Sequence, residues 1–188
     1  MMMDMFYFTD DERGLDPLRV AQTLPSGTGI VFRHYNSQNR VKIAKYLSKI
    51  CKLRHLRLYI AQNPTISHAV DAYGIHLPEY QIPQIPMIRS RYPDLDISSA
   101  CHSVRALRKA ADLGADRAFL SPVFPTKSHP GKAGTGLMTA ALAIRAQSLP
   151  VYALGGIRDH HLRQLSGLGF SGFGAISYFE DGIEGNSA

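Results

Sequence analysis

Two glycine-bearing segments late in the chain, Leu154-Gly-Gly-Ile157 and Gly174-Ala-Ile-Ser177, have the composition of a phosphate cradle. Glycine lets backbone N–H groups come close to an anion, and a helix start just beyond adds the positive end of its dipole. One Gly-Gly pair is more often a plain turn, so the weight rests on there being two such segments. A third segment, Ser121-Pro-Val-Phe-Pro-Thr-Lys-Ser-His-Pro-Gly131, gathers hydroxyls, a cation and an imidazole between prolines and a glycine: Thr126, Lys127, Ser128 and His129. Histidine titrates at about 6.5 when unperturbed, so His129 could move protons near neutral pH. An equally good reading makes it a loop residue bonded to the backbone. The other histidines read as structural: His76 as a strand-end residue satisfied in the core, His102 as a helix start, and His160-His161 as a solvated pair on an outer helix. Adjacent residues do not share a helix face, which argues against a metal pair there.

These segments need a scaffold that brings them together. Eight short apolar runs recur, at residues 6–9, 29–33, 56–60, 74–77, 95–98, 117–120, 151–154 and 172–176. Most are too continuously hydrophobic to be half-exposed antiparallel strands. Helical stretches lie between them. Over residues 39–53, Ile43, Leu47 and Ile50 predict an inward stripe, with Lys42, Lys45, Lys49 and Lys52 on the other side. Residues 103–113 predict a helix capped by Ser103 and stopped at Gly114, and residues 137–148 another that ends before Pro150. Strand–helix alternation predicts an α/β fold with parallel strands, and eight units predict a compact (β/α)8 TIM barrel, whose chemistry sits in the loops after the strands. A doubly wound open sheet is the structural alternative.

Such barrels usually run to about 250 residues, so with 188 residues some helices must be short. The weakest are expected after Ala61, where Pro64 intrudes, over residues 81–93, which hold Pro83, Pro86 and Pro93, and from Tyr178 to the end, where the chain is short and Gly-rich. No linker or low-complexity tract divides the chain, so residues 1–188 read as one domain. The balance of 21 Lys+Arg against 15 Asp+Glu gives a net charge of +6, which suits an anionic partner. The basic run 40–57 reads as a solvated helix face; without a nucleic-acid motif or stacking aromatics, no nucleic-acid partner is expected. Cys51 and Cys101 are too few to staple a secreted fold, which predicts a reducing, cytoplasmic setting. The first residues lack a basic, apolar leader pattern, and no long uncharged apolar run exists, so no membrane association is expected. Oligomeric state stays open.

Several motifs, in order, resemble one family. Tyr7-Phe-Thr-Asp10 is similar to its opening strand, Gly74-Ile-His-Leu77 to its fourth strand, and Gly114-Ala-Asp116 with Ser121-Pro-Val-Phe-Pro-Thr126 to its strand-six signature. Ala153-Leu-Gly-Gly-Ile157 and Ala175-Ile-Ser177 are similar to its phosphate motifs. Over most of its length the chain thus resembles the thiamine phosphate synthases and the related TenI-type thiazole tautomerases. The resemblance implies a barrel enzyme of thiamine biosynthesis that joins a hydroxymethylpyrimidine diphosphate to a thiazole phosphate and releases pyrophosphate. It also implies Mg²⁺ as cofactor and small phosphate esters as partners. Carried over by position, His129, Arg33 and Ser128 become catalytic candidates. Thr126, Lys127, Ser128, Arg33, Gly155, Gly156, Ile176 and Ser177 become substrate- and phosphate-binding ones.

The chain also departs from the family pattern. Val31 and Tyr35 stand where Gln and Lys flank the Arg33 position, Ala100 where a Ser is expected, and His129 where a Lys is common. Both metal Asp positions are glutamine, Gln62 and Gln81. An amide lacks the anionic oxygen that a hard cation wants, which leaves Glu79 as the one nearby substitute. Two further functions therefore stand beside the synthase: a thiazole phosphate tautomerase with His129 as acid/base, and a non-catalytic thiazole or thiamine phosphate binder that has lost the metal site.

Overall fold

Each apolar run pairs in parallel with its neighbours along the chain, and the last pairs with the first through Asp4↔Gly172 and Tyr7↔Ala175. The sheet therefore closes, and the open-sheet alternative is excluded. The computed structural model describes residues 3–12, 14–124 and 137–184. The strands are β1 (Asp4–Phe8), β2 (Gly29–Phe32), β3 (Arg57–Ala61), β4 (Gly74–Leu77), β5 (Asp96–Cys101), β6 (Arg117–Leu120), β7 (Val151–Leu154) and β8 (Gly172–Ala175). The helices are α1 (Pro17–Ala21), α2 (Arg40–Arg54), α3 (Pro64–Ala69), α4 (Ile85–Arg91), α5 (Val104–Asp112), α6 (Leu137–Arg145), α7 (Asp159–Gly167) and α8 (Ser177–Glu184), with a 3-10 turn at Glu79–Gln84. This is the compact (β/α)8 barrel that the strand–helix alternation predicts.

Side chains alternate across each strand, so every strand feeds two cores. Inside the barrel lie Phe6, Phe8, Val31, Tyr59, Phe119 and Tyr152. Outside, Tyr7, Ile30, Phe32, Leu58 and Ile60 pack under α1 and α2, while Ile75, Leu77, Ile97 and Leu120 pack under the later helices. The inward rings of β1 fit because β2 and β8 face them with glycine. A Cβ on Gly29 would lie 2.2 Å from Phe6 Cδ1, and one on Gly174 would lie 2.5 Å from Phe8 Cε2. Phe6 meets Phe119 and Tyr152 edge-on with centroids 5.0 Å apart, an attractive ring geometry.

The first residues of four strands seal one end of the barrel. Arg117 donates to both carboxylate oxygens of Asp96, at 2.8 and 2.6 Å, and to the Tyr152 hydroxyl at 3.1 Å. That hydroxyl donates to Asp4 at 3.0 Å, and Asp4 also pairs with Arg57. With the N-terminal end plugged by ion pairs, only the C-terminal end can admit a ligand, as is general for this architecture.

The helices revise several expectations. On α2 the buried set is Ala44, Leu47, Ser48 and Cys51, with Ile43 and Ile50 only partly covered. The inward stripe is turned toward its small side chains, which let the helix lie close against the sheet; the four lysines face solvent as predicted. Pro64 does not interrupt α3 but opens it, where a missing N–H costs nothing, and Asn63 caps it by accepting from the Ile66 N–H at 2.9 Å. Residues 81–93 carry the 3-10 turn and α4, with Pro86 in the first turn of that helix. The tail forms the eight-residue α8, and α6 stops at Arg145, short of the predicted 148. Ser103 caps α5 as expected, accepting from the Ala106 N–H at 3.1 Å. The economy of length comes from α1, α3 and α4, of five, six and seven residues.

Candidate active site

The β7–β8 pairing sets Leu154 beside Gly174, so Gly155-Gly156 and Ala175-Ile176-Ser177 leave the barrel side by side. Gly155 and Gly156 both hold left-handed backbone, at φ 94 and 65, which a side chain would strain. A Cβ on Gly155 would also stand 3.2 Å from Pro122 Cβ. Among the described residues, no carbonyl or side chain accepts from the N–H of either glycine. Beside them, Ser177 opens α8, whose first amides have no partner within the helix. The Gly155-Gly156 amides and the start of α8 thus follow two adjacent strand ends.

The strand-six connection is fastened to this cradle. Val123 N–H donates to Leu154 O at 3.0 Å and Phe124 N–H to Gly155 O at 3.3 Å. The Phe124 ring stacks on His161, with centroids 3.7 Å apart and planes 8° from parallel. His161 Nδ1 accepts from the Arg158 N–H at 3.2 Å. Burial, with the charges of His160 and Arg158, lowers the His161 pKa, while a bond to the Gly156 backbone works the other way. His161 is thus partly covered by Phe124 while His160 stays exposed as its sequence suggests; no local spacing marks the stack. Thr126, Lys127, Ser128 and His129 lie outside the described residues.

Across the mouth, Arg33 is held against the end of β1. Its backbone N–H donates to Thr9 Oγ1 at 2.9 Å, its Nε donates to Thr9 O at 2.7 Å, and its terminal nitrogen is 3.7 Å from the Asp10 carboxylate. The guanidinium lies over the Phe8 ring, 5.8 Å from its centroid. Below it, buried His76 places its ring 5.3 Å from Phe8 and 5.5 Å from Phe119. The Ser98 hydroxyl donates to Ile75 O at 3.1 Å, so it accepts from His76 Nδ1–H at 3.0 Å. Burial pushes the His76 pKa down to about 3, aided by the charge of Arg33. The well therefore ends in a neutral imidazole and apolar rings.

The rim between β3 and β4 carries the two glutamines. Gln62 sits in left-handed backbone at φ 66, its N–H donating to His76 O at 2.9 Å. Gln81 lies in the turn after β4, and its Oε1 is buried without a hydrogen-bond partner. Glu79 Oε2 accepts from the His102 N–H at 2.6 Å, and the His102 ring bonds Ser121 O at 2.9 Å. Among the described residues, no three His, Cys, Asp or Glu side chains cluster as a metal site. At the two altered positions, Gln62 and Gln81, the oxygens on offer are neutral amides, which fit Mg²⁺ poorly.

The thiamine monophosphate synthase family model matches residues 9–179. The chain belongs to that family. A protein of Aquifex aeolicus, provisionally named thiamine-phosphate synthase 2, is 34% identical over 138 residues, covering 73% of this chain and 74% of the relative. The thiamine-phosphate synthase of Vibrio campbellii is 27% identical over 180 residues, covering 92% of this chain and 88% of the relative. A solved thiamine phosphate pyrophosphorylase from Pyrococcus furiosus superposes with a TM-score of 0.78 at 24% identity, over 93% of this chain and 86% of that one, and so shares its fold. No helix among the described residues is long and apolar enough to cross a membrane.

Proposed function

We propose that this chain is a thiamine-phosphate synthase, transferring a hydroxymethylpyrimidine group from its diphosphate to the ring nitrogen of a thiazole phosphate. The observation that carries the reading is the pair of adjacent strand ends that the β7–β8 register sets side by side, Gly155-Gly156 after β7 and Ile176-Ser177 after β8. A phosphate held there anchors the thiazole with its ring toward the barrel axis. In the coupling, the bond between the pyrimidine methylene carbon and the diphosphate oxygen breaks, and its electron pair leaves with the diphosphate. The thiazole nitrogen lone pair then forms the new C–N bond. No protein nucleophile takes part.

What the protein supplies is position, charge and dryness. The well lined by Phe8, Phe119 and neutral His76 excludes water from the methylene cation and offers it no anionic trap. Arg33, fixed on Thr9 and Asp10, sets positive charge at the mouth, where the diphosphate carries its negative charge. Thr126, Lys127, Ser128 and His129 of the strand-six connection complete the set as donors to the leaving group. The test is a coupling assay with both precursors, run with Mg²⁺ and with EDTA. Thiamine phosphate and pyrophosphate appearing in equal amounts is the expected result. Absence of product under both conditions, with thiamine phosphate still bound, would overturn the synthase in favour of a binding protein.

A further inference from the structure

Where the family motif keeps two carboxylates for a divalent cation, this barrel keeps two amides and has moved a cation of its own beside them. Arg40, the first residue of α2, reaches across to the end of β3 and donates through a terminal nitrogen to the carbonyl of Ala61. Ala61 directly precedes Gln62, the first altered position. The Arg40 Nε is buried and has no hydrogen-bond partner, and the guanidinium lies 5.5 Å from the centroid of the Tyr35 ring. Across the β3–β4 pairing, the Oε1 of Gln81 is also buried and without a partner. An unpaired donor and an unpaired acceptor, each costly to bury, lie on the segments that border one rim.

Among the acids near this rim, Asp11 is the one whose negative charge acts on Arg40. Asp10 faces Arg33, and Glu79 accepts from the His102 N–H, while Asp11 is exposed on the loop after β1. A guanidinium at the end of β3 repels a divalent cation and attracts the anion that such a cation would otherwise bridge. Its planar fork matches phosphate oxygens two at a time. We infer that Arg40, with Arg33, takes the place of the metal at this rim, so that the diphosphate is bound by guanidinium groups and without Mg²⁺. This rests on the synthase reading for the identity of the anion, and it assigns Arg40 a role in binding the leaving group that the sequence motifs do not mark.

The probe is inorganic pyrophosphate, titrated calorimetrically into the full chain in EDTA and in Mg²⁺. Wild-type protein binds it in EDTA, and Mg²⁺, which sequesters pyrophosphate in solution, does not strengthen the binding. Arg40→Gln weakens binding by about tenfold or more, the usual scale for losing a hydrogen bond to a charged group. Thiamine phosphate, held through the β7–β8 amides, binds as before. Lys45→Gln, an exposed lysine on the same helix, changes neither affinity and so controls for net charge. Arg40→Lys, a gentler change should the glutamine variant fail to fold, keeps metal-free binding at reduced affinity. In the Arg40→Gln background, adding Gln62→Asp and Gln81→Asp makes pyrophosphate binding depend on Mg²⁺. Wild-type binding that needs Mg²⁺, or an Arg40→Lys affinity equal to wild type, overturns the inference. The coupling assay is scored separately: pyrophosphate bound in this way by a protein that never couples would sink the synthase reading and leave the assignment of Arg40 intact.

Discussion

The imidazole of His161 lies flat on the ring of Phe124, 3.7 Å away and within 8° of parallel. One ring comes from the first turn of α7 and the other from the start of the strand-six connection, so the stack ties Phe124 to the segment after β7. His161→Ala removes a contact of about 0.5–1.5 kcal/mol. The melting temperature falls by a few degrees at most, while KM for the pyrimidine diphosphate rises. An unchanged KM with lower stability would make the stack a scaffold contact alone.

Gly155 offers a sharper test of the cradle. Forcing its left-handed backbone on an L residue costs about 1–2 kcal/mol, and the added carbon meets Pro122 at 3.2 Å. Gly155→Ala therefore loses stability and also weakens thiamine phosphate binding, read by calorimetry on the folded variant. A crystal grown with thiamine phosphate shows the phosphate within hydrogen-bonding distance of amides near both Gly156 and Ser177. An anion seated at neither would remove the basis of the proposed function.

His76 makes the fold sensitive to acid. Its folded pKa is depressed to about 3, so below the unfolded value near 6.5 the unfolded chain binds a proton that the folded chain refuses. Its contribution is complete above pH 6.5 and is lost as pH falls toward 3, at about 1.4 kcal/mol per pH unit. Denaturant unfolding at a series of pH values should show this slope, and His76→Gln should reduce it by about one proton. Equal slopes for the two proteins would mean that the imidazole is protonated in the folded barrel.

His129 separates the synthase from the isomerase that shares its scaffold. As a donor to the leaving diphosphate, it is expected to lower both pyrimidine diphosphate affinity and coupling when changed to Asn, with thiazole phosphate affinity kept. Loss of a thiazole isomerisation by about 10²–10⁴-fold, with coupling untouched, would instead mark an acid–base residue.

How much of this was legible in residue order follows from how each feature is encoded. Hydrophobic runs separated by helical periods are local patterns, and they led to eight parallel strands whose limits at 74–77, 117–120 and 151–154 agree with the structure to the residue. The two segments proposed as a cradle are each written in a few consecutive residues, and closure of the barrel set their strand ends side by side. The substitution of amides for carboxylates at Gln62 and Gln81 was likewise plain in the sequence.

Closure of the barrel decided the rest. The pairing of β4 with β5 sets the Glu79 carboxylate on the His102 N–H, a contact that no local pattern marks. Arg40 belonged to a basic helix face until α2 docked and let its side chain reach Ala61, and His161 read as solvated until it met Phe124. Even the inward stripe of α2 was settled by how closely its small residues approach the sheet rather than by its isoleucines. Each of these contacts joins residues far apart in the chain, and local periodicity carries no record of a partner that only the register of the closed sheet brings within a few ångströms.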